Sequence, residues 1–157
     1  MKSKSSAETF FFIYFRMKST VLVICQFSMI AVIVTTGYVP ETIAALMLLV
    51  AGCVLGVVSI AYIRLDNVRI FPEPKKNIRL VTTGPYKVVR HPMYVSVLLL
   101  SASFVIESPS FVPILAWFIL LYVLLEKIRI EETLLSQRLP EYNEYKKRTW
   151  RLIPFLF

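Results

Sequence analysis

The chain has little histidine and little cysteine, with one of the first and two of the second in 157 residues. The cysteines, Cys25 and Cys53, lie in separate apolar stretches without the spacing of metal ligands. A small buried thiol usually behaves as an apolar packing residue. The sequence therefore predicts packing roles for both cysteines and no metal site.

Charge is absent from four long stretches, over residues 19–40, 42–63, 91–106 and 108–125. Hydrophobic residues make up 57% of the chain, which is above the average for soluble globular proteins. A helix needs about 20 apolar residues to cross a bilayer, and the third stretch is short of that length. It would cross only if its helix began earlier, near Tyr86, or if the bilayer thinned. We predict an all-α, integral membrane helical bundle of about four transmembrane helices with a cytoplasmic C-terminal helical segment.

Lysine and arginine are absent from the connectors over residues 37–41 and 107–113. All 18 basic residues lie at the two ends of the chain or between the second and third apolar stretches. The positive-inside rule then places both termini and the middle connector in the cytoplasm of a multi-pass protein. This distribution explains the net charge of +8 without a nucleic-acid partner, and we expect none.

We predict a single membrane domain over residues 1–157. In residues 1–63, two packing spans follow a short N-terminal aromatic anchor, and Gly52 with Gly56 forms a pair of small residues typical of close helix approach in lipid. Residues 64–157 form the core that carries the chemistry.

Two polar clusters stand out against this apolar background. Arg90, His91 and Tyr94 lie where the third stretch begins, and Glu131 with Glu132 lies after the fourth. Interfacial arginine often snorkels to phosphate and interfacial tyrosine is common, but ionisable residues grouped at a membrane boundary are functional candidates. If the two stretches form a hairpin, both clusters emerge on the same side of the bilayer.

Proline divides the polar segments. Because proline disfavours the α conformation in the residue before it, we expect His91 to end one short helical piece and Pro92 to begin the next. Pro140 suits the first turn of a final helix, in which Glu144 and Arg148 form a favourable i,i+4 pair.

Three segments together resemble the C-terminal core of the isoprenylcysteine carboxyl methyltransferase family, and related membrane phospholipid methyltransferases share a looser version. They are the run from Gly84 to Tyr94, the pair Glu131-Glu132, and the run from Pro140 to Arg148 followed by Pro154-Phe155. The resemblance covers roughly residues 80–157. The family motif continues with a glycine where this chain has Ser96.

This resemblance implies an S-adenosylmethionine-dependent methyltransferase. The donor would be bound by the last two spans and the C-terminal segment, at six residues: Tyr86, His91, Pro92, Tyr94, Glu131 and Glu132. The residues expected to act in catalysis are Arg90, Glu132 and Arg148. The expected partners are a lipophilic methyl acceptor and membrane lipids, and the sequence indicates no protein partner.

The acceptor stays open at this point. A carboxylate, such as a prenylcysteine-like or isoprenoid acid, is already ionised and could be held by Arg90 or Arg148. An amine would need a base, for which Glu131, Glu132 and His91 are candidates, and a hydrophobic thiol is a further possibility. Two other functions compete: an NADPH-dependent membrane reductase of the sterol-reductase type, and a non-enzymatic scaffold that binds anionic lipid head groups through its basic residues.

Overall fold

The computed structural model describes residues 6–63 and 80–155, and it describes side chains in the first helix from Met17 onward. Over these ranges the chain is helical and has no strand. The helices are α1 (Ser6–Thr36), α2 (Ile43–Ile63), α3 (Pro92–Glu107), α4 (Phe111–Arg138) and α5 (Glu141–Lys147), with a short 3-10 helix at Gly84–Lys87. The predicted all-α membrane bundle is confirmed. The side chains of the predicted aromatic anchor and most of the middle connector, residues 64–79, lie outside the described residues.

Three helices are long and apolar enough to cross a bilayer, and a fourth is shorter. The long segments are Met17–Thr36, Ile43–Ile63 and Phe111–Arg138, and the shorter helix is α3. Helix α3 begins at Pro92, as predicted, and the alternative start near Tyr86 does not occur. The proline ring lacks an N–H and restricts the residue before it, so the helix does not extend backwards through this position.

Helices α2 and α3 pack closely and antiparallel through their small residues. A Cβ added at Gly52 would lie 2.8 Å from Cγ of Leu100, and one added at Gly56 would lie 2.6 Å from Oγ of Ser96. The Ser96 hydroxyl donates a hydrogen bond of 2.7 Å to the carbonyl of Gly52. The predicted close approach at the two glycines is therefore confirmed. Ser96 serves this helix crossing.

Helices α1 and α4 form the second antiparallel pair. Ile33 packs with Ala116, Leu120 and Leu124 in the main apolar core. The α3–α4 hairpin turns through residues 108–110, as predicted, and joins this pair to the α2–α3 pair.

The turn between α1 and α2 is fastened to the end of α3. The Glu107 carboxylate accepts hydrogen bonds from the backbone N–H groups of Glu41 (3.1 Å) and Thr42 (2.9 Å) and from the Thr42 hydroxyl (2.8 Å). These bonds satisfy N–H groups where α2 begins, which a helix cannot satisfy internally. We call this the loop end of the bundle. The opposite end, where α3 begins and α4 ends, is the polar end.

The C-terminal segment folds back across the polar end and pairs with the chain that enters α3. The N–H of Trp150 donates to the carbonyl of Val88 (3.1 Å), the N–H of Arg90 to Trp150 (2.8 Å), and the N–H of His91 to Arg151 (3.2 Å). The prediction that His91 ends a helical piece is wrong, because the 3-10 helix ends at Lys87 and the next residues pair with the C-terminal segment.

Two local features of these polar segments bear on the sequence predictions. Gly84 adopts a φ of 58°, and a Cβ there would lie 2.6 Å from the Tyr62 ring, so the turn requires glycine. In α5, Glu144 pairs with Lys147 at 2.6 Å. The predicted Glu144–Arg148 pair does not form.

Candidate functional site

The two polar clusters meet at the polar end. The Tyr94 hydroxyl donates a hydrogen bond of 3.2 Å to the Glu131 carboxylate. Nε2 of His91 lies 3.4 Å from Oε1 of Glu132, and its Nδ1 lies 3.7 Å from Oε2 of Glu131. The two glutamates thus flank one imidazole. The predicted juxtaposition of the clusters is present in the structure.

Helix geometry explains why these side chains converge. His91 is the N-terminal cap of α3, and its carbonyl accepts the N–H groups of Tyr94 and Val95. Residues three apart share a helix face, and the rings of His91 and Tyr94 stack with centroids 5.5 Å apart and planes 10° apart. Adjacent residues on α4 point about 100° apart, so Glu131 meets Tyr94 while Glu132 reaches Arg90.

Glu132 and Arg90 form a buried ion pair at the centre of the cluster. The Nε atom of Arg90 lies 2.7 Å from Oε1 of Glu132, and the side chains are only 8% and 3% exposed. The Nη1 atom of Arg90 also donates to the carbonyls of Lys146 and Thr149. Arg90 therefore holds the C-terminal segment against α4. Its predicted role in holding an acceptor carboxylate gains no support from this geometry.

Two further cations contact Glu132, and sequence reasoning missed both. Nε of Arg151 lies 3.1 Å from Oε2 of Glu132, and Nζ of Lys146 lies 3.9 Å from the same oxygen. Arg148, predicted as catalytic, is exposed at the end of α5, and no contact with the cluster is present among the described residues. The sequence signal was a run of basic residues, and only the fold decides which of them faces Glu132.

Three tyrosines surround the cluster. The Tyr145 hydroxyl donates to the carbonyl of Tyr86 at 2.5 Å. The hydroxyls of Tyr86 and Tyr142 are buried and have no hydrogen-bond partner among the described residues. A buried donor without a partner costs free energy, so both hydroxyls are suited to bonding a ligand. Tyr86 was predicted at the site, whereas Tyr142 was missed.

The three phenols are protonated at neutral pH, as a free tyrosine is, and burial makes them weaker acids still. It raises the pKa of Tyr145 to about 12 and raises the pKa values of Tyr86 and Tyr142 still further above the ordinary value. The carboxylate of Glu131 adds to the rise in pKa of both Tyr86 and Tyr142. The three phenols can therefore donate hydrogen bonds, and Tyr145 does so here.

The described residues fit S-adenosylmethionine, the donor that the sequence resemblance implies. The Glu131 carboxylate is 31% exposed and can accept bonds from the donor's amino group or ribose hydroxyls. Lys146 and Arg151, 35% and 32% exposed, can meet its carboxylate. Aromatic faces attract a cation such as a sulfonium. Pro92, also predicted at this site, is buried where α3 begins.

Comparison with known proteins found a matching family model and similar proteins. A family model described as phospholipid methyltransferase matches residues 40–141. Two similar proteins are a nickel-cobalt-cadmium resistance protein of Alcaligenes xylosoxydans xylosoxydans and a cobalt-zinc-cadmium resistance protein of Cupriavidus metallidurans. Each is 39% identical over 90 residues, which cover 55% of this chain and 41% of the relative. The match thus spans less than half of each relative's length. No solved structure matches. Both relatives are named for metal resistance and not as reductases.

Proposed function

Since the chain belongs to the phospholipid methyltransferase family, we propose that it transfers a methyl group from S-adenosylmethionine to a lipophilic acceptor at the membrane surface. The observation that carries the proposal is the meeting of Tyr94 with Glu131, and of His91 with Glu132, at one end of an apolar bundle. A polar site at such a place gives a soluble donor and a lipid-phase acceptor access to the same point.

The residues of the site bind and orient the methyl donor and the methyl acceptor. When bound, S-adenosylmethionine supplies a methyl group that its sulfonium activates for displacement. The Tyr94–Glu131 hydrogen bond holds the Glu131 carboxylate in a fixed place, where it can accept hydrogen bonds from a ligand. The buried hydroxyls of Tyr86 and Tyr142 can donate hydrogen bonds. Holding two reactants in a productive geometry is worth several kcal/mol of the barrier. No strong base is required if the acceptor is already an anion.

We propose a lipophilic carboxylate as the acceptor, of the prenylcysteine-like or isoprenoid-acid class. Three cations, Arg90, Lys146 and Arg151, contact Glu132, so even with Glu131 counted the immediate cluster carries an excess of positive charge. Lys146 and Arg151 are both partly exposed, so one can hold the acceptor carboxylate by charge-assisted hydrogen bonds while the other meets the carboxylate of S-adenosylmethionine.

An amine acceptor is the second candidate, and the description of the family as phospholipid methyltransferases favours it. A protonated amine must lose its proton before it can accept a methyl group. Glu131 is the more exposed of the two carboxylates and would serve as the base. The two acceptors are distinguished by their product, since one reaction gives a methyl ester and the other an N-methyl lipid.

The topology belongs to the same proposal. We place both termini and the polar end in the cytoplasm, because the basic residues of the polar segments would otherwise have to be translocated. S-adenosylmethionine would then reach Glu131 from the cytoplasm, and the acceptor would arrive from the bilayer.

The test is incorporation of label from methyl-labelled S-adenosylmethionine into a lipid extract by the purified protein, with the product identified by mass spectrometry. The extract is prepared from host cells grown with and without nickel, cobalt or cadmium, because the two relatives are named for resistance to such metals. A labelled methyl ester supports the carboxylate, and a labelled N-methyl lipid supports the amine.

A matched pair of variants checks that the label depends on the site. Glu131→Gln removes the carboxylate that Tyr94 bonds, whereas Glu141→Gln removes an exposed carboxylate at the start of α5. Label should be lost in the first variant and kept in the second. Wild-type protein that incorporates no label from any extract and binds no S-adenosylmethionine would overturn the proposal and favour a scaffold.

A further inference from the structure

A buried lysine lies below the polar site, inside the α1–α4 pair. Lys127 is 2% exposed, and its ammonium donates a hydrogen bond of 2.6 Å to Oε1 of Gln26 on α1. Gln26 is itself buried among the apolar side chains of its helix. A lysine at such a position is costly and is rarely found without a specific role.

The same lysine reaches the site from beneath. Its Nζ atom lies 5.4 Å from the centroid of the Tyr94 ring, within the range of cation–π attraction. Lys127 and Glu131 are four residues apart on α4, so they share a helix face. Gln26, Lys127, Tyr94 and Glu131 thus form one continuous chain of contacts from the first helix to the site.

Helix pairing alone does not account for this arrangement. Glu126, the residue before Lys127 on α4, forms an ion pair of 2.9 Å with Lys18 of α1 that ties the same two helices. A buried polar pair also contributes little to stability compared with apolar side chains of the same volume. The difference between the two pairs is that the lysine of the buried one contacts a ring of the site.

We propose that Lys127, held in place by Gln26, is a positioning residue that fixes the Tyr94 ring and keeps a positive charge beside Glu131. This inference rests on the proposed function, because its purpose is to present Tyr94 and Glu131 to S-adenosylmethionine. It makes α1 part of the donor site, whereas the sequence indicated only a packing span.

The test compares two double variants by titration calorimetry with S-adenosylmethionine and by thermal unfolding in detergent. Gln26→Leu with Lys127→Met removes both buried polar groups together, so neither is left without a partner. Lys18→Met with Glu126→Gln removes the neighbouring pair as the matched control. Unfolding of the first variant should occur at or above the wild-type temperature, while its dissociation constant for S-adenosylmethionine rises about tenfold.

Two single variants separate charge from packing. Lys127→Arg keeps the cation and should bind S-adenosylmethionine within about threefold of wild type, whereas Lys127→Gln keeps a hydrogen-bonding group without the charge and should weaken binding about as much as the double variant. The KM for the lipid acceptor should change less than the affinity for the donor. If the double variant does not fold, Lys127→Gln gives the same comparison.

The possible failures are distinguishable. Wild-type protein that binds no S-adenosylmethionine would overturn the proposed function, and this inference with it. If the wild type binds S-adenosylmethionine and the folded Gln26→Leu/Lys127→Met variant, or Lys127→Gln, binds it with the same dissociation constant, only the role of Lys127 is overturned.

Discussion

Arg90 and Glu132 form a buried ion pair, with 2.7 Å between Nε and Oε1, that joins the start of α3 to the end of α4. Through the carbonyls of Lys146 and Thr149, the same guanidinium also holds the C-terminal segment. One side chain therefore connects the three segments that build the site.

Removing this arginine should destabilise the whole protein. Arg90→Met leaves Glu132 buried with its closest cation missing, and we expect a loss of about 3–5 kcal/mol in the free energy of unfolding. Equilibrium unfolding in detergent measures the loss. Lys147→Ala, which breaks only an exposed pair with Glu144, should change the stability by less than about 1 kcal/mol. Equal losses of stability in the two variants would contradict the role of Arg90 in joining α3, α4 and the C-terminal segment.

Substitutions at Gly56 and Ser96, where α2 crosses α3, should have coupled effects on the free energy of unfolding. A methyl group at residue 56 would lie 2.6 Å from the Ser96 hydroxyl oxygen, with the next atom at 3.6 Å. Gly56→Ala alone should therefore cost about 1–3 kcal/mol from overpacking. In the presence of Ser96→Ala the clash disappears, so the double variant should be more stable than the sum of the two single effects by about 1 kcal/mol.

Gly52 provides the contrast for this measurement. A methyl group there would meet Cγ of Leu100 at 2.8 Å and the backbone nitrogen of Leu100 at 3.0 Å, and no hydroxyl can be removed to make room. Gly52→Ala should stay destabilising in the Ser96→Ala background. Strictly additive effects at Gly56 and Ser96 would show that the helices do not approach as described.

The apolar blocks of the sequence were sufficient to predict α1, α2 and α4, because uncharged stretches of spanning length have few alternatives in a bilayer. The juxtaposition of His91 and Tyr94 with the two glutamates followed from the hairpin. The start of α3 at Pro92 followed from the proline itself, whereas the backbone pairing of Val88 with Trp150 just before it did not, because these residues are distant in sequence.

Within the site, the sequence could not predict which basic residues contact Glu132. Lys146, Arg148 and Arg151 have similar chemistry, and the end of α5 together with the extended segment after it decides that Lys146 and Arg151 contact Glu132. Lys127 could not be matched with its buried partner from the sequence, for a related reason. Its partner Gln26 sits in an apolar block on another helix, where neither spacing nor charge pattern marks it.

Stability should fall at high pH because of the buried phenols. In the unfolded chain a tyrosine titrates near pH 10, whereas burial raises the pKa of Tyr145 to about 12. The folded state therefore holds the proton more tightly, so this contribution is complete below about pH 10 and is lost as pH rises towards about 12. Unfolding measured across this range should show the decline. Tyr145→Phe should reduce the slope of the free energy of unfolding against pH. An identical slope in wild type and variant would contradict the raised pKa of Tyr145.

Cysteine labelling should place the two ends of the bundle on opposite sides of the membrane. In a background with Cys25 and Cys53 replaced by alanine, Pro109→Cys lies at the loop end and Lys147→Cys on α5. In intact cells, a membrane-impermeant maleimide should label residue 109, and it should label residue 147 only after lysis, because basic segments stay in the cytoplasm. The reverse pattern would contradict the proposed topology.

The most direct test of the account is calorimetric titration of S-adenosylmethionine into wild-type protein, Glu131→Gln and Glu141→Gln. Glu131 accepts the Tyr94 hydrogen bond at the site, whereas Glu141 is exposed at the start of α5. A hydrogen bond to a charged group is worth about 1.5–3 kcal/mol, so we expect Glu131→Gln to weaken binding about 10- to 100-fold while Glu141→Gln binds as wild type does. Equal affinity in all three proteins, or no binding by the wild type, would contradict a donor site at the meeting of α3 and α4.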